Sequence, residues 1–373
     1  MRSAADIDAF FALLRAGLWE RGVRILPYGA IDFSAVYDLA EEQSVVGLVA
    51  AGLEHVEDTK VAKQDVMPFM KRVIALENRN AAMNLFIAGL VTDMQSAGFR
   101  PVLVKGQGTA RCYARPQWRA AGDVDLFIDS GQYEGAKAYL ASRASRVEEE
   151  DARRKHIGMT IDSWPVELHG TMHTEISGRL NAGIDAVQRD IFGNGGVRTW
   201  HGENADILLP SPDNDILIVF THFVQHFYVG GVGLRQVSDW CRLLWTYRDE
   251  IDRNLLGRRL QEMGLLSEWK AFACFAVDRL GMPEESMPFY AVSARLSRKA
   301  RRIGRLILKT GNFGHNQDQR YRRRYSGLTE KSITFFRRFG EFLRLTAIFP
   351  GNAPRFFLTY VTRRTKAASF HNS

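Results

Sequence analysis

The sequence predicts an α+β protein in which a small mixed sheet is embedded between helical segments on its N-terminal and C-terminal sides. Three observations carry that expectation. Residues 65–97 place apolar side chains at helical spacing, with no proline after Pro68. Residues 99–170 change texture, to short alternating or β-branched runs punctuated by glycine and proline. Beyond residue 212 helical spacing returns, broken at Gly230, Gly231 and Gly233. A chain of 373 residues exceeds one core of ordinary size. It divides on this reading into residues 1–97 (helical), 98–175 (α/β core), 176–310 (helical, substrate side) and 311–373 (basic and aromatic).

In chain order, residues 5–20 and 32–54 read as short amphipathic helices, from the spacing of Phe10, Leu13 and Leu14 and of Val36 and Leu39. The long helix over 65–97 ends at Gly98, where a left-handed cap costs glycine little. Pro101 to Val104 is a β-branched run that stops at Lys105, Gly106, Gln107 and Gly108 before a helical stretch through Tyr113: strand, glycine turn, helix. Asp123 to Ile128 alternates acidic and apolar residues, so a strand there puts both aspartates on one face. Residues 132–143 read as a helix. His156–Ile161 and Val166–His169 read as paired strands across a turn from Asp162 to Pro165. Residues 212–228, 234–248 and 254–280 complete the helices, and Gly311 to Gly327 is the linker candidate.

Composition excludes several classes. No window approaches eighteen uninterrupted apolar residues, and Asp6 and Asp8 stand where a signal peptide would be basic and then apolar, so a cytoplasmic protein is expected. Cys112, Cys241 and Cys274 lack metal or disulfide spacing and read as small buried hydrophobes. Charge is uneven. Residues 291–373 hold 19 Lys and Arg against Asp318, Glu330 and Glu341, a balance of +16, so the chain's +8 leaves residues 1–290 at −8.

Two carboxylates at i and i+2 on a strand project to one side, where their oxygens can share a hard cation. Asp123 and Asp125 have that spacing, although Asp-x-Asp also occurs in plain loops. The turn upstream adds weight: backbone N–H groups after Lys105 and Gly106 would face an anion, and Lys105 supplies a point charge for phosphate. An anion cradle facing a cation site is what metal-assisted phosphoryl or nucleotidyl transfer requires. Glu167, apolar on both sides in the next strand pair, is the candidate third ligand or general base.

Taken together, VLVKGQGTARCYARPQWRAAGDVDLFID, VELHG and THFVQHFYVGGVGLRQVSDW resemble the uncharacterised nucleotidyltransferase family of bacteria over roughly residues 70–250. The family pattern falls here on Lys105, Gly106, Tyr113, Arg119, Asp123, Asp125, Glu167, His169, His226, Arg235 and Asp239. The resemblance implies a polymerase-β-like nucleotidyltransferase core, with Mg²⁺ or Mn²⁺ at Asp123, Asp125 and Glu167 and a nucleoside triphosphate as substrate. Lys105, Gly106, Arg119, His169, His226 and Arg235 would then bind the triphosphate or its acceptor, in pathways of polysaccharide or peptide modification. Typical nucleotidyltransferases carry Gly-Ser where this chain has Lys105 and Gly106. That departure favours the alternative of a catalytically inactive binding or scaffold protein at the inner membrane surface; transfer of a phosphoryl group to a small molecule is a third reading.

Each residue also has a plainer role. Arg119 either binds phosphate or neutralises the aspartate pair, Tyr113 packs in the core, and His169 either orients Glu167 or is a satisfied buried histidine. His222 and His226 have the i, i+4 spacing of zinc ligands without a neighbouring glutamate or a third ligand, so His226 reads as lining the cleft. Arg235 and Asp239 are spaced for an intrahelical salt bridge. Aromatics mixed with arginines over Ile333–Phe349 and Arg355–Lys366 suit an anionic membrane surface reached through residues 330–373, giving a peripheral location. Packing of those aromatics on the body is the alternative; nucleic acid ranks below both, because no RNA-binding motif accompanies the charge.

Overall fold

The computed structural model describes residues 2–202, 205–312 and 339–358. At the N-terminal end lie α1 (Ala4–Trp19), α2 (Phe33–Glu42) and α3 (Val46–Glu54). Ser3 and Asp32 cap the first two by accepting from backbone N–H groups of the first turn. The single stretch expected over 32–54 is two helices, because Ser44 adopts φ 56° and turns the chain between them. Helices α1 and α3 touch backbone to backbone. A Cβ on Gly17 would stand 1.8 Å from the Leu48 carbonyl oxygen, and one on Gly52 2.0 Å from that of Leu13.

The long helix α4 (Lys63–Ser96) buries Phe69, Val73, Leu76, Asn80, Met83, Ile87, Leu90 and Met94 at three- and four-residue intervals. It runs past both hydrophobic cores. Phe69 and Val73 join the large cluster of helix-borne residues, while Met83 to Met94 join a second cluster against the sheet. Between them the buried Asn80 donates to the Gln117 and Arg119 carbonyls and accepts from Gln107 of the short helix α5 (Gly106–Ala110).

The sheet has seven strands: β1 (Val102–Val104), β2 (Val124–Phe127), β3 (Arg146–Val147), β4 (His156–Ile161), β5 (Trp164–His169), β6 (Val197–His201) and β7 (Asp206–Pro210). Their order is β3-β4-β5-β2-β1-β7-β6. The β1–β2 and β4–β5 pairs are antiparallel, whereas β2–β5 and β1–β7 are parallel, so the sheet is mixed as expected. The β4–β5 turn is tighter than the four residues anticipated: Asp162 and Ser163 alone make it, both with φ > 0 (47° and 69°). Pro165 therefore lies inside β5. It is tolerated because pairing to β2 begins only at Val166. The strands β6 and β7 lie in a stretch read as helical, and β7 places Leu208 beside Val102 of β1.

The pleat sorts side chains by parity. Val124, Leu126, Ile128, Ile157, Met159, Val166 and Leu168 face α4 and α6 (Tyr133–Ala141). Asp125, Phe127, Glu167 and His169 take the opposite face. That face is covered by α7 (Gly178–Gly193), α8 (Pro212–Val229) and α9 (Leu234–Thr246). Behind these pack α10 (Arg253–Met263), α11 (Leu266–Leu280) and α12 (Ala294–Thr310), around the mutually packed rings of Phe220, Phe223, Trp240, Trp269 and Phe272.

Residues 339–348 and 352–358 are helical, and Leu345, Ile348, Phe349 and Phe356 are buried on this body, Phe349 against Phe227 and Phe356 against Tyr228. The described aromatics of the basic region thus include several that pack on the body, while the rest of the proposed membrane segment and most of the linker candidate lie outside the described residues. Cys112, Cys241 and Cys274 are buried free thiols. No helix among the described residues is long and apolar enough to cross a membrane.

Candidate functional site

Strand register assembles the site. Asp125 stands opposite Val104 on one side and Glu167 on the other, so Lys105, one residue past β1, reaches the acidic pair. Its Nζ lies 2.6 Å from Asp125 Oδ1. One carboxylate oxygen from each of Asp123, Asp125 and Glu167 falls within 4.8 Å of the others. His169 Nε2 lies 2.9 Å from Asp125 Oδ1 and 3.5 Å from Glu167 Oε2. His156, opposite His169 in the β4–β5 hairpin, brings its Nε2 to 3.1 Å from the same Glu167 oxygen.

These contacts set the protonation of each group. The charge of Asp125, and then burial, push the Asp123 carboxyl above its ordinary range. Burial pushes Asp125 up too, but the Lys105 ammonium and the His169 hydrogen bond outweigh it and hold Asp125 below that range. Glu167 is likewise held down: burial opposes its charge, and hydrogen bonds from His156 and His169 with the Lys105 charge prevail. Burial disfavours the charged Lys105 and His169, yet the surrounding carboxylates raise both. The cluster therefore has two firmly ionised carboxylates and a third, Asp123, whose ionisation the charge of Asp125 opposes.

The covering helices supply the opposite wall. His222 Nδ1 lies 3.4 Å from Lys105 Nζ, and His222 Nε2 lies 3.1 Å from His226 Nε2. Burial, reinforced by the Lys105 charge, lowers His226 to about 4 and His222 well below its usual value. Both rings are neutral at pH 7, and one Nε2–H donates to the other. Among the described residues no metal-ligating group of three includes them, so the zinc spacing of α8 serves a hydrogen-bonded pair.

Arg119 gives a bidentate fork to Asp239, with Nε–Oδ1 and Nη2–Oδ2 both at 2.7 Å, and Tyr113 donates to the same carboxylate at 2.8 Å. This buried trio ties the β1–β2 connection to α9, and Tyr113 is more than the packing residue its sequence suggested. Arg235 donates from Nη1 to the Ala120 carbonyl at 2.9 Å.

Lys105, Gly106, Arg119, Asp123, Asp125, Glu167, His169, His226 and Arg235 all line one cavity of about 500 Å³. That volume is in the range of small-molecule sites. His156, Arg154 and His173 also line it and escaped the sequence reading; only the hairpin register, which sets His156 against His169, pointed to the first. Lys105 holds φ 57° and ψ −146°, a backbone region natural to glycine. Such strain costs on the order of 1–3 kcal/mol and persists where the surroundings impose it.

Three oxygen donors suit a hard divalent ion, and the raised Asp123 reports like-charge repulsion that such an ion would relieve. A mixed sheet with three converging carboxylates beside a lysine defines a candidate transferase site. The chain belongs to the uncharacterised nucleotidyltransferase family, whose model matches residues 29–281. Membership supports nucleotidyl transfer as the general class of activity. No curated protein and no solved structure matches the chain.

Proposed function

We propose that this chain transfers a nucleotidyl group from a nucleoside triphosphate to an acceptor, with Mg²⁺ or Mn²⁺ held by Asp123, Asp125 and Glu167. The convergence of those three carboxylates within 4.8 Å, in a cavity that also holds Lys105 and Arg235, carries the reading. A bound divalent ion supplies charge neutralisation to the triphosphate and its pyrophosphate leaving group. The chain's own residues do the rest. Lys105 and Arg235 place positive charge toward phosphate oxygens beside Gly106, and the Arg119–Asp239 fork fixes the wall between them. His156 and His169 keep Glu167 ionised, which suits a ligand better than a base. The neutral His222–His226 pair offers hydrogen bonds to the acceptor. In the transfer, an acceptor hydroxyl oxygen forms a bond to the α-phosphorus as the bond from that phosphorus to the bridging β-phosphate oxygen breaks, pyrophosphate leaves, and the hydroxyl proton passes to solvent. The helical part over 176–310 supplies the acceptor side in this reading, and the enzyme works in the cytoplasm.

The 2.6 Å Lys105–Asp125 ion pair favours a second reading, because an ammonium already neutralises part of the cluster. There the fold binds a partner at the inner membrane surface without turnover. Incubation with labelled triphosphates and Mg²⁺ separates the two. Metal-dependent pyrophosphate release by wild type, lowered by about 10²–10³-fold in the Asp123→Ala/Asp125→Ala variant, is expected for transfer. Product mass distinguishes nucleotidyl from phosphoryl transfer. Neither binding nor turnover of triphosphate with metal in either protein rejects the enzyme reading.

A further inference from the structure

We propose a second metal position in the same cavity, formed by His156, His169 and Glu167, that takes a borderline divalent transition ion of the Zn²⁺ and Co²⁺ class. The hairpin builds it. Register sets His156 opposite His169, and the rings stack with centroids 4.7 Å apart and planes 28° apart. Two residues of the β4 approach reinforce this: Asp151 and His156 exchange backbone hydrogen bonds of 2.9 and 3.2 Å, fixing where the strand starts. Both Nε2 atoms then point to one Glu167 oxygen, at 3.1 and 3.5 Å, and one ligand atom from each of the three residues lies within 4.8 Å of the others.

The two nitrogen-to-oxygen spacings match a metal shell. With bonds of about 2.0–2.1 Å in a tetrahedral arrangement, neighbouring donor atoms stand about 3.3 Å apart. Ion binding therefore exchanges the His156–Glu167 and His169–Asp125 hydrogen bonds, of 3.1 and 2.9 Å, for N–metal bonds. The displaced protons pass to the other ring nitrogen or to solvent. Two imidazole nitrogens and one carboxylate oxygen select a borderline ion, whereas the all-oxygen set of Asp123, Asp125 and Glu167 suits Mg²⁺. Glu167 belongs to both sets, so it bridges a hard position and a softer one. The inference does not rest on nucleotidyl transfer, because the ion binds whether or not a triphosphate is turned over.

Metal-free full-length protein titrated with Co²⁺ in excess Mg²⁺, and followed by the visible ligand-field bands of Co²⁺, tests it. Wild type is expected to retain one Co²⁺ per chain. His156→Ala is expected to weaken Co²⁺ by more than the roughly 10–100-fold that loss of an outer partner costs, because a direct ligand is removed. The His156 side chain is 30% exposed, so its replacement spares the core, and His156→Gln provides an independent variant with a similar volume. Absence of the Co²⁺ bands in wild type, their loss to excess Mg²⁺, or unchanged affinity in both His156 variants overturns the proposal. In those cases the triad is only a hydrogen-bonded support for Glu167.

Discussion

On the sheet face that meets α4 and α6, Val124, Leu126, Val166 and Leu168 are almost wholly buried among other apolar groups. The opposite face of the same two strands carries Asp123, Asp125, Glu167 and His169 around a cavity. One strand pair thus obeys two sets of forces, separated by a single residue step. The apolar face is held by burial, which is non-directional and scales with the area removed from water. The polar face is held by attraction between carboxylates and their Lys105 and His169 partners, while Asp123 is set against the charge of Asp125, which lowers stability.

Substitutions can break or sharpen this contrast. The largest effect belongs to the apolar face: Leu168→Ala is expected to cost about 2–5 kcal/mol, read from denaturant unfolding, because the site is fully buried. A loss within experimental error would mean that this face does not support the sheet. Next comes acid sensitivity on the covering wall. His226 titrates at about 4 in the fold and near 6.5 unfolded, so the unfolded state binds the proton first as pH falls. Its contribution is complete above the unfolded value and lost on descending to about 4, by up to about 3 kcal/mol. The unfolding free energy of wild type should therefore fall more steeply than that of His226→Gln over this interval; parallel curves would contradict the assignment. The smallest effect has the opposite sign. Asp123→Asn removes a like charge and is expected to stabilise the metal-free protein by about 0.5–2 kcal/mol in thermal unfolding. Added Mg²⁺ should raise the Tm of wild type more than that of the variant.

Much of the acidic face was legible from the chain alone, because alternation from Asp123 to Ile128 fixes which side chains share a side before any partner is known. Lys105 followed from the turn that ends β1. What the sequence hid depended on partners distant along the chain. His156 joins the site only through its pairing with His169, and Arg119 finds Asp239, 120 residues away. The hairpin of β6 and β7 gave no contrast to read: Val197–His201 is mixed in character, and Asp206–Pro210 is a short apolar run that a helix would also accept. The break at Ser44 had no glycine or proline to announce it.

The long helix α4 has a mechanical consequence. At 34 residues it is a rod of about 50 Å, anchored at one end among the helices and at the other against the sheet, with Asn80 clasping the loop that bears Arg119 midway. Swinging the halves apart would have to bend that rod or pull it out of one core. The rod thus ties the helical core and the sheet core into one mechanical piece.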